Sequence, residues 1–275
     1  MSKGHVARKR FGQHFLVDRS IVEGICSAIA PLDSQTIVEI GPGPGALTRA
    51  LLQRIEKLHA VEIDRDLAAS LRHEFLATKL DLHEADALRF DFLSLLPPVS
   101  QTHRKLRLVG NLPYNISSPL LIRTIGLAEH VSDMHFMLQK EVVMRISASE
   151  GHSEYGRLTV MLASCFEATH LFDVPPQAFA PPPRVDSAVV RLVTKPAQQR
   201  LAPEVIASLE ILLARAFAQK RKMLRKTLVP WLDSQGVDST AIPGTERAED
   251  IPASIYFELA RQLLQRGLPA KRLST

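Results

Sequence analysis

The fold is decided by the stretch Thr36-Ile37-Val38-Glu39-Ile40-Gly41-Pro42-Gly43-Pro44-Gly45. Its first five residues are mostly β-branched and apolar, which is typical of a buried strand, and a glycine-proline loop follows. An amphipathic helical pattern over 46–55 and a second apolar strand over 58–63 complete a strand–helix–strand unit. Such units build a parallel sheet covered by helices, so we predict an α/β fold.

The glycine-proline loop is compatible with two kinds of ligand. Gly41, Gly43 and Ala46 occupy the glycine positions of the dinucleotide fingerprint and Glu62 ends the second strand, so a NAD-linked enzyme is one alternative. A pyrophosphate needs backbone N–H donors, however, and the two loop prolines remove two of them. S-adenosylmethionine needs no phosphate cradle, because its sulfonium is cationic, and Glu62 can bind its ribose hydroxyls. The loop therefore favours a methyl-donor site.

An acidic residue also follows the third strand, which we predict over 80–83. The carboxyl ends of parallel strands meet at one edge of a sheet, so Asp86 is expected in the same crevice as Glu62. There it can accept a hydrogen bond from the adenine amino group. The alternative is that Asp86 only caps the turn that follows it, which is a frequent use of Asp.

The fourth strand runs into the tetrapeptide Asn111-Leu112-Pro113-Tyr114. Asn111 offers an oxygen that accepts an N–H, Pro113 stiffens the turn, and Tyr114 offers a flat face to a planar base. Together they form a predicted clamp for an aromatic amine, similar to the Asn/Asp-x-Pro-Tyr/Phe motif of methyltransferases that act on exocyclic nitrogens. The alternative is an ordinary turn after a strand.

The predicted alternation of strands and helices continues to residue 193. Between the last two strands, Phe179 precedes three prolines that hold a loop extended, so its ring is expected at a fixed position facing Tyr114; an inert connector is the alternative. Further strands are predicted over 134–138, 170–174 and 187–193, and helices over 20–30, 65–77, 117–128, 142–149 and 158–166.

Composition limits the class of protein. The chain has 275 residues of which 45% are hydrophobic, enough for one large domain and a small one. Cys26 and Cys165 lack metal-ligand spacing, which argues against disulfides and against a zinc site, and both are expected to be buried thiols. No apolar run is as long as a membrane span and no signal-peptide pattern is present, so we expect a cytoplasmic protein without a membrane partner.

Two basic segments predict contacts with an anionic partner. Lys220, Arg221, Lys222, Arg225 and Lys226 lie within a region of helical patterns over 203–219, 222–232 and 253–266, and a phosphate-binding face is favoured over a solvated helix surface. This region predicts a small all-helical domain over 196–275, after a larger domain over 1–195. The N-terminal arm with Arg8, Lys9 and Arg10 is either a lid or a mobile tail.

Five segments, in order along the chain, resemble the bacterial small-subunit ribosomal RNA adenine dimethyltransferase family over nearly the whole chain. These segments are Phe11-Gly12-Gln13-His14-Phe15-Leu16, Glu39-Ile40-Gly41-Pro42-Gly43, Asn111-Leu112-Pro113-Tyr114-Asn115-Ile116, Leu138-Gln139-Lys140-Glu141-Val142 and Phe179-Ala180-Pro181-Pro182-Pro183-Arg184-Val185-Asp186-Ser187-Ala188-Val189.

The resemblance implies a Rossmann-like, seven-stranded class I methyltransferase domain with a small C-terminal all-helical domain. It implies S-adenosylmethionine-dependent N6,N6-dimethylation of two adjacent adenosines in the 3′-terminal hairpin of small-subunit rRNA, on the immature 30S particle and as a monomer. His14 departs from the family, which often has Asn there. The family's cofactor contacts carry over to His14, Leu16, Gly41, Glu62, Asp86 and Asn111. The catalytic positions that we predict are Asn111, Leu112, Pro113, Tyr114 and Phe179. The predicted RNA contacts are the two basic segments, and no metal is expected.

Three other functions remain open at this point. A DNA adenine methyltransferase uses similar chemistry, but this chain shows no DNA-reading motif. A large-subunit rRNA methyltransferase of the macrolide-resistance type shares the fold, although the proline run after Phe179 favours the small-subunit enzyme. A non-catalytic assembly factor would bind immature subunits and use the cofactor only structurally.

Overall fold

A computed structural model describes residues 14–97, 105–242 and 245–268. Within these ranges the strands are β1 (Phe15–Leu16), β2 (Thr36–Ile40), β3 (Leu58–Glu62), β4 (Leu80–Glu84), β5 (Leu106–Asn111), β6 (Val131–Gln139), β7 (Phe166–Val174), β8 (Phe179–Ala180) and β9 (Ser187–Thr194). The helices are α1 (Arg19–Ile29), α2 (Ala46–Leu52), α3 (Arg65–Glu74), α4 (Ser117–Ile125), α5 (Lys140–Ile146), α6 (Arg157–Ala163), α7 (Pro203–Ala216), α8 (Leu224–Thr227), α9 (Val229–Ser234) and α10 (Ala253–Gln265).

Seven strands form one sheet in the order β4-β3-β2-β5-β6-β9-β7. The pairs from β4 to β6 are parallel, and β6 pairs with β9 antiparallel. Because β2, β3 and β5 are neighbours and parallel, the residues that follow them reach the same edge of the sheet. The predicted α/β fold with seven strands is confirmed.

A second, two-stranded pairing was not predicted. In it Phe15 lies opposite Ala180 and Leu16 lies opposite Phe179, so β1 and β8 join segments that are distant in sequence. Strands of two residues are too short to produce a periodic pattern, which explains why they escape sequence analysis. The predicted helix over 158–166 was too long, because α6 ends at Ala163 and Phe166 already begins β7.

The compact unit that carries the sheet's parallel strands includes, among the described residues, 14–97, 105–121, 129–143 and 169–193. Its core contains Ile25 and Cys26 of α1, Leu51 of α2 and Phe179 of β8. Cys26 is buried as predicted, and so is Cys165 elsewhere in the chain.

Several charged residues are buried in this unit, and one of them, Arg107, lies in the strand that ends at Asn111. The Arg107 guanidinium of β5 lies 2.9 Å from an Asp133 carboxylate oxygen and donates to the carbonyl of Ile29 at the end of α1, so its charge and its donors are matched. This network fixes β5, the strand that ends at Asn111, against β6 and α1.

The second unit comprises 122–128, 144–168 and, among the described residues of the C-terminal part, 194–242 and 245–268. Helices α7 and α10 pack together in it. The predicted helix over 222–232 is divided into α8 and α9, because Pro230 lacks an N–H and its ring clashes with the carbonyl four residues earlier. The domain boundary at residue 195 stays a prediction. None of the described helices is long and apolar enough to cross a bilayer.

Candidate active site

A cavity lies at the edge of the sheet where β2, β3, β4 and β5 end. Five of the six predicted cofactor contacts line it, namely His14, Gly41, Glu62, Asp86 and Asn111, and so do the catalytic candidates Leu112, Pro113 and Tyr114. The sixth contact, Leu16, belongs to the hydrophobic core, as does the catalytic candidate Phe179. Neither is among the described residues that line the cavity, so their roles stay predictions.

The glycine loop makes a tight turn and leaves few backbone N–H groups to donate to a ligand. Gly41 and Gly43 have φ angles of +67° and +56°, values that favour glycine. The Gly41 N–H donates to the Val61 carbonyl, the Gly43 N–H to Glu62 and the Gly45 N–H to the Pro42 carbonyl. All three glycine donors are therefore used inside the protein, and the prolines have none. A pyrophosphate would find no cradle here, which argues against the dinucleotide alternative.

Glu62 is held rigidly at the end of β3, where its side chain is almost completely buried. Its Oε2 accepts from the Gly43 N–H at 3.0 Å and its Oε1 accepts from the Asp64 N–H at 2.8 Å. Burial raises the pKa of the carboxyl group, and these two hydrogen bonds oppose the rise. Each carboxylate oxygen keeps a second lone pair, so Glu62 can still accept from two ribose hydroxyls.

Asp86 combines the two roles that the sequence left open. Its Oδ1 accepts from the Leu88 N–H at 2.9 Å, which caps the turn after β4. The same residue lines the cavity. Within the described part of the chain, its second carboxylate oxygen forms no hydrogen bond and is available to an amino group.

Asn111 stands at the end of β5 directly after Gly110. A Cβ on Gly110 would lie 2.4 Å from the Ile40 carbonyl oxygen, so only glycine lets β5 approach β2 this closely. The Asn111 Nδ2 donates to the backbone carbonyl of His14 at 2.9 Å. This bond assigns the two ends of the amide, and among the described residues no donor reaches its oxygen. The Leu112 N–H donates a hydrogen bond to the Met137 carbonyl at 3.1 Å.

Two contacts hold the Tyr114 side chain, one at its hydroxyl and one at its ring. Its hydroxyl forms a 2.8 Å hydrogen bond with Ser187 Oγ, and burial raises the pKa of the phenol. The His14 ring stacks against the Tyr114 ring at a centroid distance of 5.6 Å, and the His14 Nδ1 lies 2.9 Å from the Pro181 carbonyl oxygen. The expected partner of Tyr114 was Phe179; in this structure His14 has that position.

Sequence analysis missed Glu39 as an ionisable group of this region. It lies in β2 with 2% of its surface exposed and accepts a 2.7 Å hydrogen bond from Thr48. Burial and the charge of Glu62 raise its pKa to about 7, against the effect of the Thr48 hydrogen bond. An acid inside a fully buried strand is unusual, and that was the signal available in the sequence.

The C-terminal basic cluster consists of Lys220, Arg221, Lys222, Arg225 and Lys226. The first three lie in a turn and the last two in α8, so only Arg225 and Lys226 have the helical spacing expected of the cluster. Lys220 donates to the Ser153 carbonyl, and the other four side chains are exposed. Within the described chain none of the five forms an ion pair. The N-terminal candidates Arg8, Lys9 and Arg10 lie outside the described residues.

Known proteins are similar to this chain over nearly its whole length. A family model described as ribosomal RNA adenine dimethylase matches residues 4–264. The ribosomal RNA small subunit methyltransferase A of Bordetella pertussis is 53% identical over 265 residues, which cover 96% of this chain and 97% of the relative. The protein of the same name from Cupriavidus necator is 49% identical, with 98% and 96% covered.

Two solved structures share the architecture. A dimethyladenosine transferase from Plasmodium falciparum superposes with a TM-score of 0.73 at 25% identity, covering 92% of this chain and 98% of that one. The 23S rRNA methyltransferase ErmE superposes with a TM-score of 0.67, also at 25% identity, covering 91% and 100%.

Proposed function

The chain belongs to the ribosomal RNA adenine dimethylase family, and from this we propose that it dimethylates N6 of two adjacent adenosines in the 3′-terminal hairpin of small-subunit rRNA. It is an S-adenosylmethionine-dependent rRNA methyltransferase. The observation that carries the proposal for its site is the cavity that brings Glu62, Asp86 and Asn111 together at the ends of three strands.

The residues of the cavity suit S-adenosylmethionine, which supplies a methyl group activated on a positively charged sulfur. Glu62 offers two carboxylate oxygens to the ribose hydroxyls, and Asp86 offers one oxygen to the adenine amino group. The backbone at Gly41 leaves space that a side chain would fill, since a Cβ there would lie 3.8 Å from the Pro113 ring. The glycine loop offers no free donor to a phosphate, which matches a ligand without phosphates.

The target nitrogen needs help because its lone pair is delocalised into the adenine ring. We assign to the Asn111 oxygen and the Leu112 carbonyl the task of accepting the two amino hydrogens, which favours a pyramidal nitrogen whose lone pair can attack. Tyr114 supports the base by stacking. No strong base is needed, because the alkylated nitrogen is acidic and its proton can leave to solvent.

The RNA must present an unpaired or flipped base, since an adenine inside a helix cannot reach this edge of the sheet. We propose that the exposed cations Arg221, Lys222, Arg225 and Lys226, together with Lys220 and the arm containing Arg8, Lys9 and Arg10, bind phosphates. We also propose that the chain acts as a monomer on the immature small subunit, which assembles in the bacterial cytoplasm.

Large-subunit rRNA is the second candidate substrate, because ErmE has the same architecture. The difference in identity favours the small subunit, since ErmE is 25% identical whereas the small-subunit relative is 53% identical over a similar share of the chain.

Methyl transfer from labelled cofactor to purified ribosomal particles tests the proposal. We expect four methyl groups per unmethylated small subunit, located by mass spectrometry in two adjacent adenosines, and none in large subunits or DNA. Methylation of large-subunit RNA would support the second candidate. Binding to small subunits without any methyl transfer would support the assembly-factor alternative and contradict the enzymatic proposal.

A further inference from the structure

A separate group of ionisable side chains lies on β3 and on the edge strand β4. His59 of β3 lies directly opposite Asp81 of β4, and Val61 lies opposite His83. Residues two apart on a strand point to the same face of the sheet, so His59, Asp81 and His83 share one face. None of the three is among the described residues that line the cofactor cavity.

The imidazole nitrogens face the carboxylate at ion-pair distance but are poorly aligned for hydrogen bonds. His59 Nδ1 lies 3.2 Å from one Asp81 oxygen and His83 Nε2 lies 3.4 Å from the other. Both nitrogens are shielded from solvent, yet neither has a hydrogen-bond partner among the described residues. Each nitrogen therefore has only a poorly aligned contact with the carboxylate, which is a costly arrangement for a buried polar atom unless a ligand lies between the groups.

A bound cation provides that explanation. Zinc takes nitrogen at 2.0–2.1 Å and carboxylate oxygen at 2.0–2.2 Å, so two ligands of a tetrahedral site are about 3.4 Å apart. Each nitrogen lies at about this distance from one oxygen of Asp81, and a small turn of the carboxylate brings a single oxygen between the two rings. The three ligand atoms all lie within 4.8 Å of one another. Asp81 and His83 are partly exposed, so their side chains can turn and bring all three atoms to the distances that a bound ion requires.

We propose that His59, Asp81 and His83 form a binding site for one divalent cation of the zinc class, with water as the fourth ligand. Two imidazoles and one carboxylate are a donor set that suits zinc and its first-row neighbours and not magnesium, which prefers oxygen ligands. The site would be structural, because the ion would tie β4 to β3. The sequence argument against zinc was based on the spacing of the two cysteines. It could not detect this site, because His59, Asp81 and His83 are brought together only by the register of β3 and β4.

The surroundings of the cluster have one unfavourable and one favourable feature. Lys57 Nζ lies 3.8 Å from Asp81, and this charge opposes a cation, but the lysine is half exposed and can turn to solvent. The Phe90 ring packs 5.0 Å from the His83 ring and provides an apolar side.

Metal titration of the full chain tests the proposal. After treatment with a chelator, we expect one equivalent of Zn²⁺ to bind, and Co²⁺ to produce visible absorption typical of nitrogen and oxygen ligands at a four-coordinate site. Saturating Zn²⁺ should raise Tm by several degrees, because the ion binds the folded state, whereas Mg²⁺ at the same concentration should not. Failure of the unaltered chain to bind one equivalent would overturn the site, whatever any variant does.

Variants then assign the ligands. His59→Ala and His83→Gln should each weaken Zn²⁺ binding at least tenfold and remove the cobalt spectrum, and both should remain folded by circular dichroism. His73→Ala, which removes an exposed histidine of α3, is the matched control and should bind as the unaltered chain does. Equal binding by all three variants would show that the ion binds elsewhere and would overturn the proposal. All these readouts are independent of methyl transfer.

Discussion

The side-chain amide of Asn111 donates a 2.9 Å hydrogen bond to the backbone carbonyl of His14, 97 residues earlier in the chain. The donor end of the amide is therefore committed, and the oxygen is the end left to accept from a substrate. His14 is itself fixed, because the next residue pairs with Ala180 through β1 and β8. An acceptor that is already oriented before the substrate arrives lowers the cost of reaching the transition state.

Replacement of Asn111 by Ala should slow methyl transfer without unfolding the chain. We expect single-turnover transfer to fall by on the order of 10²-fold, as for loss of one preorganised polar contact. The measurement should use saturating cofactor and pre-bound subunits, so that the rate reports the chemical step. Ser187→Ala, which removes only the hydroxyl partner of Tyr114, should have a smaller effect. A rate for Asn111→Ala within a few-fold of the unaltered enzyme would contradict this role and point to the Leu112 carbonyl.

Replacement of Glu62 by Gln should weaken cofactor binding by about 1–3 kcal/mol, the range for hydrogen bonds to a charged group. Isothermal titration calorimetry measures the affinity directly. Glu84→Gln is the matched control, because Glu84 ends the neighbouring strand opposite Glu62 but pairs with Arg65 and Arg72 at the surface. Equal affinities of the two variants would remove Glu62 from the cofactor site.

Local patterns predicted most of the sheet and the edge at which the cavity lies. β-branched runs that end in glycine or an acid identify strand ends, and a parallel sheet brings those ends together, so Glu62, Asp86 and Asn111 could be assigned to one crevice. Contacts between distant segments could not be predicted. The pairing of Leu16 with Phe179 is one example, and the buried network that joins Arg107 to Asp133 and Ile29 is another.

Stability should depend on pH through Glu39. Its pKa rises from the usual 4.5 to about 7, so between these values the folded chain holds a proton that the unfolded chain has released. The free energy of unfolding should therefore fall as pH rises through this window and level off above it. The shift corresponds to roughly 3 kcal/mol across the window.

Urea unfolding of Glu39→Gln at pH 5 and pH 8 tests this dependence. Gln cannot ionise but can still accept from Thr48, so the variant should gain stability relative to the unaltered chain as pH rises. The exposed Glu56→Gln change should show no such gain. A difference between Glu39→Gln and the unaltered chain that is the same at both pH values would show that Glu39 does not titrate in this window.

The basic cluster should act on RNA through phosphates alone. Arg221 and Lys222 are exposed and form no ion pair within the described chain, so no such pair has to be broken when RNA binds. Each phosphate contact releases counterions, and its loss should reduce the slope of log K against log salt by about 1. The double variant Arg221→Gln/Lys222→Gln should therefore bind small subunits more weakly and with a slope smaller by up to about 2. Its cofactor affinity should not change.

The matched control for this pair is Arg19→Gln/Lys79→Gln, which removes the same charge from exposed positions on the other compact unit. General attraction depends on net charge, so it would weaken both double variants equally and leave their salt slopes alike. Direct contact predicts that only the cluster variant loses slope, measured by filter binding from low to physiological salt. Equal slopes would assign the cluster to the solvated surface and leave the N-terminal arm as the remaining candidate for phosphate binding.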